Sequence, residues 1–200
     1  PDDLYREGLN RQLFLPFIGL LKRHVDVLDI GGMQDHRMAK LERLPVYLTP
    51  LGSEAQVQMD EAWAVATEGH RAKPSHLEVK GRTIPVPQAA GEAARFSFPD
   101  LCSQPLAARD YLAIVERYST IFIDGIPILD AVQRNEAKRL ILLVDVLYDR
   151  HATLVVTAAA EPDHLFKGRA GSTEAFEFLR TASRLNEMRS AEWRHSQDVL

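Results

Sequence analysis

Two short apolar runs with an amphipathic stretch between them constrain this chain more than any other feature. Residues 120–123 and 153–157 are apolar and rich in β-branched side chains, and the first run ends in Asp124-Gly125. Between them, 135–150 places Leu140, Ile141, Leu143, Val144 and Leu147 on one side at helical spacing. Strand, helix, strand with a crossover of about 28 residues predicts a right-handed βαβ unit in a parallel sheet. A helix over 107–117 precedes the unit. A last helix over 173–188 follows it, with Phe176, Leu179, Leu185 and Met188 expected to face inward.

The first hundred residues are less regular. Pro1-Asp2-Asp3 reads as a helix start, followed by a short helix over 1–9. A second helix is predicted over 12–24 from Leu13, Phe14, Phe17, Ile18 and Leu21. Pro16 fits only a first turn, which moves the expected start toward Leu15. Residues 25–30 read as a strand ended by Gly31-Gly32, and 46–48 as a short extended piece. Ser53 is the expected N-cap of a helix over 53–67 carrying Val57, Trp63 and Val65. Pro74, Pro85, Pro87 and Gly91 then punctuate a β-rich stretch. In it, 77–79 and 83–86 flank Gly81-Arg82 as a hairpin, and Phe96 and Phe98 mark a third strand. The expected division is 1–51, a β-rich insertion over 52–94, and an α/β region over 95–200.

Composition narrows the function classes. At 46% hydrophobic and 26% charged, the chain is globular rather than disordered. A net charge of −4 offers no overall basic field for nucleic acid. Its single cysteine, Cys102, excludes an internal disulfide and a cysteine-rich zinc site. No apolar run approaches the roughly 18 residues of a membrane span. A soluble, cytoplasmic chain is the expectation. A chain that opens on a helix cap at Pro1 reads as part of something longer.

Each candidate chemistry has a plainer structural reading beside it. No G-x-x-x-x-G-K-S/T occurs. The glycine-rich run Gly168-Arg169-Ala170-Gly171-Ser172-Thr173 precedes a helix but lacks that spacing and the lysine, and it reads equally as a loop. Val27-Leu28-Asp29-Ile30-Gly31-Gly32 resembles the first motif of methyl-donor-dependent methyltransferases, or simply a strand and its turn. Ile121-Phe122-Ile123-Asp124-Gly125 looks like a Walker B strand, whose terminal Asp holds magnesium. Gly125 stands where a water-orienting Glu would follow, so a strand-end cap is the plainer reading. The seven histidines form no H-x-x-x-H or H-E-x-x-H pair, and Cys102 reads as a core residue. Arg11 precedes a helix, and Arg180 and Arg184 share a face at i, i+4. Arginine near a subunit boundary is also what a nucleotide enzyme extends toward a γ-phosphate. Finally, Pro162-Asp163-His164-Leu165-Phe166-Lys167 echoes Pro1-Asp2-Asp3-Leu4-Tyr5-Arg6.

Several blocks, in order over nearly the whole chain, resemble the ZapE-type cell-division ATPases, the AFG-one-like branch of the AAA+ P-loop proteins. They are the opening 1–11, Phe14-Leu15-Pro16-Phe17-Ile18, and Asp35-His36-Arg37, where His replaces the family's Tyr. They continue with Phe96-Ser97-Phe98, Leu101-Cys102, Asp110-Tyr111, Glu136-Ala137-Lys138-Arg139, Leu143-Val144-Asp145 and Leu147-Tyr148-Asp149. Phe176-Glu177-Phe178, Arg180, Ser183-Arg184-Leu185 and Glu187-Met188 complete the set, while 52–91 matches only loosely. The resemblance implies an α/β fold in which 1–51 is the end of a P-loop AAA+ core. It implies a ring, a homo-hexamer, that binds ATP and Mg2+ through Walker A, Walker B and sensor-1 segments expected ahead of Pro1. By the same resemblance Arg11 is the arginine finger acting in trans, and Arg180 or Arg184 a sensor-2-like nucleotide contact. The resemblance implies a link to bacterial cell division or to protein quality control, with cell-division or client proteins as partners. The 200-residue chain alone is expected to bind no nucleotide and hydrolyse none. The competing readings are a non-catalytic scaffold domain and a methyltransferase-like α/β enzyme resting on 27–32.

Overall fold

The computed structural model describes residues 11–24, 44–168 and 171–195. The chain divides into two compact units, 1–36 and 37–200. In the first, α1 (Arg11–His24) contains Pro16 in its interior rather than its first turn. The helix extends further toward the N-terminus than the proline rule predicts. One proline removes only one backbone hydrogen bond, which a helix tolerates when the rest of the turn is intact. The helix expected over 1–9 and the strand expected over 25–30 lie outside the described residues.

The second unit is built on one six-stranded sheet. Its strands are β1 (Tyr47–Leu48), β2 (Lys73–Val79), β3 (Arg82–Ala90), β4 (Ala93–Ser97), β5 (Thr120–Ile126) and β6 (Thr153–Ala158), in the order β1-β6-β5-β4-β3-β2. β1, β6, β5 and β4 are mutually parallel, and β3 and β2 add an antiparallel hairpin at the edge. All three predicted segments, 1–51, 52–94 and 95–200, contribute strands to this sheet. Between the strands lie α2 (Ser53–Ala66), α3 (Ala108–Arg117) and α4 (Arg134–Asp149), and after them α5 (Thr173–Met188) and α6 (Ala191–His195). The βαβ unit read from 120–157 is β5-α4-β6, with its two strands adjacent and parallel. The architecture is mixed α/β, of the kind a partial P-loop core makes.

Period-two alternation sends the strand residues to opposite faces. Ala94 and Phe96, Ile121 and Ile123, and Leu154 and Val156 share one core with Tyr111 and Ile114 of α3, Leu140 and Leu147 of α4, and Phe178 and Leu185 of α5. On the other face, Ala93, Phe122 and Val155 pack with Val46, Leu48 and the Ala55, Met59 and Ala62 stripe of α2. Trp63 meets the Phe122 ring edge-on at 5.0 Å.

Two helix faces differ from expectation. In α2 the buried stripe is Ala55, Met59 and Ala62, while Val57 is exposed. Small residues let the helix sit close on the sheet, and a larger valine at i+2 of that stripe points away. In α5, Phe178 is buried and Phe176 and Leu179 are exposed. Phe178 stacks on Phe166 at 5.3 Å, which fixes the rotation of the helix and turns its neighbours outward. Ser53 opens α2 as a helical residue behind Gly52, with no side-chain cap.

Candidate functional site at the carboxyl ends of the strands

In an open parallel sheet, ligands bind outside the carboxyl ends of the strands. Here those ends are set by the register that places Ser97 opposite Asp124 and Ile123 opposite Val156. Asp124 follows Phe122 on the face covered by α2, and Arg95, two residues beyond Ala93 on β4, shares that face. The Arg95 guanidinium grips Asp124 with two hydrogen bonds, Nε to Oδ2 at 2.6 Å and Nη2 to Oδ1 at 2.9 Å. Its third arm, Nη1, reaches Asp60 of α2 at 2.7 Å. Gln56, one turn earlier on α2, donates to Asp60 at 3.2 Å and to Asp124 at 3.5 Å.

Arg95 is buried, its side chain only 9% exposed, so its charge must be matched locally. Burial works against that charge, but the hydrogen bonds of Asp124 and Asp60 outweigh it and hold the pKa above the ordinary arginine value. The neighbouring polar groups are also paired. The Gly125 N–H donates to the Thr157 hydroxyl oxygen at 2.7 Å, and the Tyr47 hydroxyl donates to the Ala160 carbonyl at 2.7 Å. Gly125 has φ 77°, at a register irregularity between Ile123 and Ile126. A glutamate there would be strained, since non-glycine residues avoid positive φ.

These residues do not fit a bound Mg2+–nucleotide. Both oxygens of Asp124 accept from one guanidinium, and among the described residues no group of three or more His, Cys, Asp or Glu could hold a metal ion. In the glycine-rich run 168–173, Arg169 and Ala170 lie outside the described residues. Gly168 is required because a Cβ there would collide with the Phe166 ring. Ser172 caps α5 itself, accepting from the Ala175 N–H at 3.2 Å. Glu174 in the first turn adds negative charge where an anion would sit.

The other sequence-predicted residues lie apart from this cluster. Arg180 and Arg184 do share a face of α5, and both bind Asp145 of α4, at 2.7 Å and 2.5 Å. Arg184 also lies over the Tyr148 ring, 4.6 Å from its centroid. Arg11 is the first residue of α1, and its side chain lies outside the described residues, as does 27–32. Cys102 is fully buried, and burial pushes its thiol well above its ordinary value, so it is no nucleophile. The sequence reading passed over Arg95, Asp60, Gln56 and Thr157. The available signal was Arg95 itself, a lone charge inside the run Ala93-Ala94-Arg95-Phe96.

Comparison with known proteins places the chain. A family model described as AFG1-like ATPase matches residues 1–197. The cell division protein ZapE of Escherichia coli K12 is 35% identical over 193 residues, covering 96% of this chain and 51% of the relative. An uncharacterized protein of Schizosaccharomyces pombe is 33% identical, covering 98% of this chain and 49% of its own length. A lactation elevated protein 1 homolog of Danio rerio is 29% identical, with 99% and 46% covered. The chain thus spans about half the length of the curated relatives it matches. No solved structure matches it. With a family match across almost its whole length, this chain belongs to the AFG1-like ATPase family.

Proposed function

We propose that this chain works within an ATP-hydrolysing ring tied to cell division, and that Arg11 serves ATP held by a neighbouring subunit. The observation that carries the reading is the match to the AFG1-like family over 1–197, together with 35% identity to a cell division protein. On this reading ATP and Mg2+ are bound by segments of the full-length protein outside the chain, which itself has no phosphate-loop motif. The pairing of Asp124 with Arg95 supports it, because that carboxylate is not free to hold a metal. The full-length assembly is read as a cytoplasmic homo-hexamer acting on cell-division or client proteins. A nucleotide contact by Arg180 or Arg184 would first require the Asp145 pairs to open.

A cation placed against the transferring phosphoryl group stabilises charge that develops only in the transition state. Arg11→Ala in the full-length protein is therefore expected to keep ATP affinity and lose turnover by at least ~10²-fold. Steady-state hydrolysis and nucleotide titration measure the two separately. A variant that turns over ATP at the parent rate removes Arg11 from the chemistry.

A further inference from the structure

We propose that residues 44–195 form a second P-loop-like arrangement that holds no nucleotide, with the Arg95 guanidinium in the place of the metal ion. The topology comes first. A P-loop is a strand, a loop and a helix, and a partner strand presents an Asp to the metal. Here β1 runs into α2 through Thr49-Pro50-Leu51-Gly52, beside β6, and β5 next to β6 carries Asp124 near its carboxyl end. The segment after β6, Pro162–Lys167, repeats the pattern of Pro1–Arg6, as two copies of one unit would.

Each part that would hold a nucleotide is replaced. The loop 49–52 has no lysine, and Pro50 removes one of the backbone donors that would cradle phosphate. Glu54 puts negative charge in the first turn of α2. Asp124 and Asp60 both pair with the one Arg95 guanidinium, and the Thr157 hydroxyl accepts from the Gly125 N–H. The cation of this site is part of the chain. Residues 44–195 thereby keep the α2-to-sheet arrangement whether or not nucleotide is present. The inference does not depend on Arg11, and the two fail separately.

Calorimetric titration of the 200-residue chain with ATP and magnesium is expected to show no binding and no shift in the unfolding midpoint. Stoichiometric binding overturns the proposal. Arg95→Met removes the cation and leaves Asp124 and Asp60 uncompensated. That variant is expected to unfold at lower temperature and, unlike the parent, to be restabilised by millimolar magnesium. Where it yields no folded protein, refolding yield with and without magnesium is the readout. The double variant Arg95→Met, Asp124→Asn is expected to recover stability without magnesium and to lose the response. Absence of any magnesium response in Arg95→Met, by midpoint or yield, shows an ordinary ion pair and sinks the idea.

Discussion

At the scale of single residues, the buried charge of Arg95 serves structure. Arg95 is held by two carboxylates from different elements, and removing it strands Asp124 in a poorly solvated place. Breaking a buried pair from one side costs about 3–5 kcal/mol. Asp124 is 26% exposed, so Arg95→Ala is expected to lose less than that, about 1–3 kcal/mol read from the midpoint of urea unfolding, whereas Asp60→Asn is expected to lose less again. Asp60 is 59% exposed, and water takes over its solvation. Gly125 was legible as a departure from a Walker B strand. Why glycine stands there was not, because its φ of 77° follows from a register irregularity against β6.

At the scale of elements, α4 and α5 are joined by charge as well as by apolar packing. Arg180, with a side chain 56% exposed, forms a pair of the kind worth about 0–1 kcal/mol. Arg184 is 22% exposed and also covers Tyr148, which adds roughly 0.5–2 kcal/mol. Thermal melts of the two alanine variants are expected to show Arg184→Ala as the more damaging. The other end of α5 carries a pH-dependent contribution. The backbone N–H of Glu174 at the open helix end, and then the Arg134 guanidinium at 2.5 Å, hold its carboxyl below the ordinary glutamate range. A lowered folded-state pKa stabilises above the unfolded value, about 4.3, and that contribution disappears as pH falls through the folded value. Glu174→Gln is expected to flatten the acid limb of a midpoint-against-pH curve and leave the slope near neutrality unchanged. The kinds of element between 53 and 188 were largely readable from residue spacing, while the helix α6 was not. The inward faces of α2 and α5 were not, since spacing marks a stripe but packing against Met59 and Phe178 chooses it.

At the scale of the whole molecule, the described unit is one mixed sheet covered by α2 on one face and by α3, α4 and α5 on the other. Among the described residues no helix is long and apolar enough to cross a membrane. If Arg11 acts between subunits of an ATP-hydrolysing ring as proposed, full-length Arg11→Ala mixed with a full-length variant that cannot bind ATP should recover part of the lost ATP turnover. Each would supply the group the other lacks. Mixtures no more active than the sum of their parts would place the arginine in cis or outside the site.

The sequence by itself determined the main helices and strands between 53 and 188 and that β5-α4-β6 forms a parallel unit. Side-chain direction repeats every 2 or 3.6 residues whatever lies further along the chain. It also carried the family resemblance, in ordered blocks from Pro1 to Met188. Only the tertiary structure decided that 73–97 joins the same sheet and that Asp124 of β5 is closed by an arginine. Arg95 lies 29 residues from Asp124 and 35 from Asp60, and Arg184 lies 39 from Asp145. A charge's partner at such separations is set by which strands and helices become neighbours, a property of the folded chain and not of any local repeat.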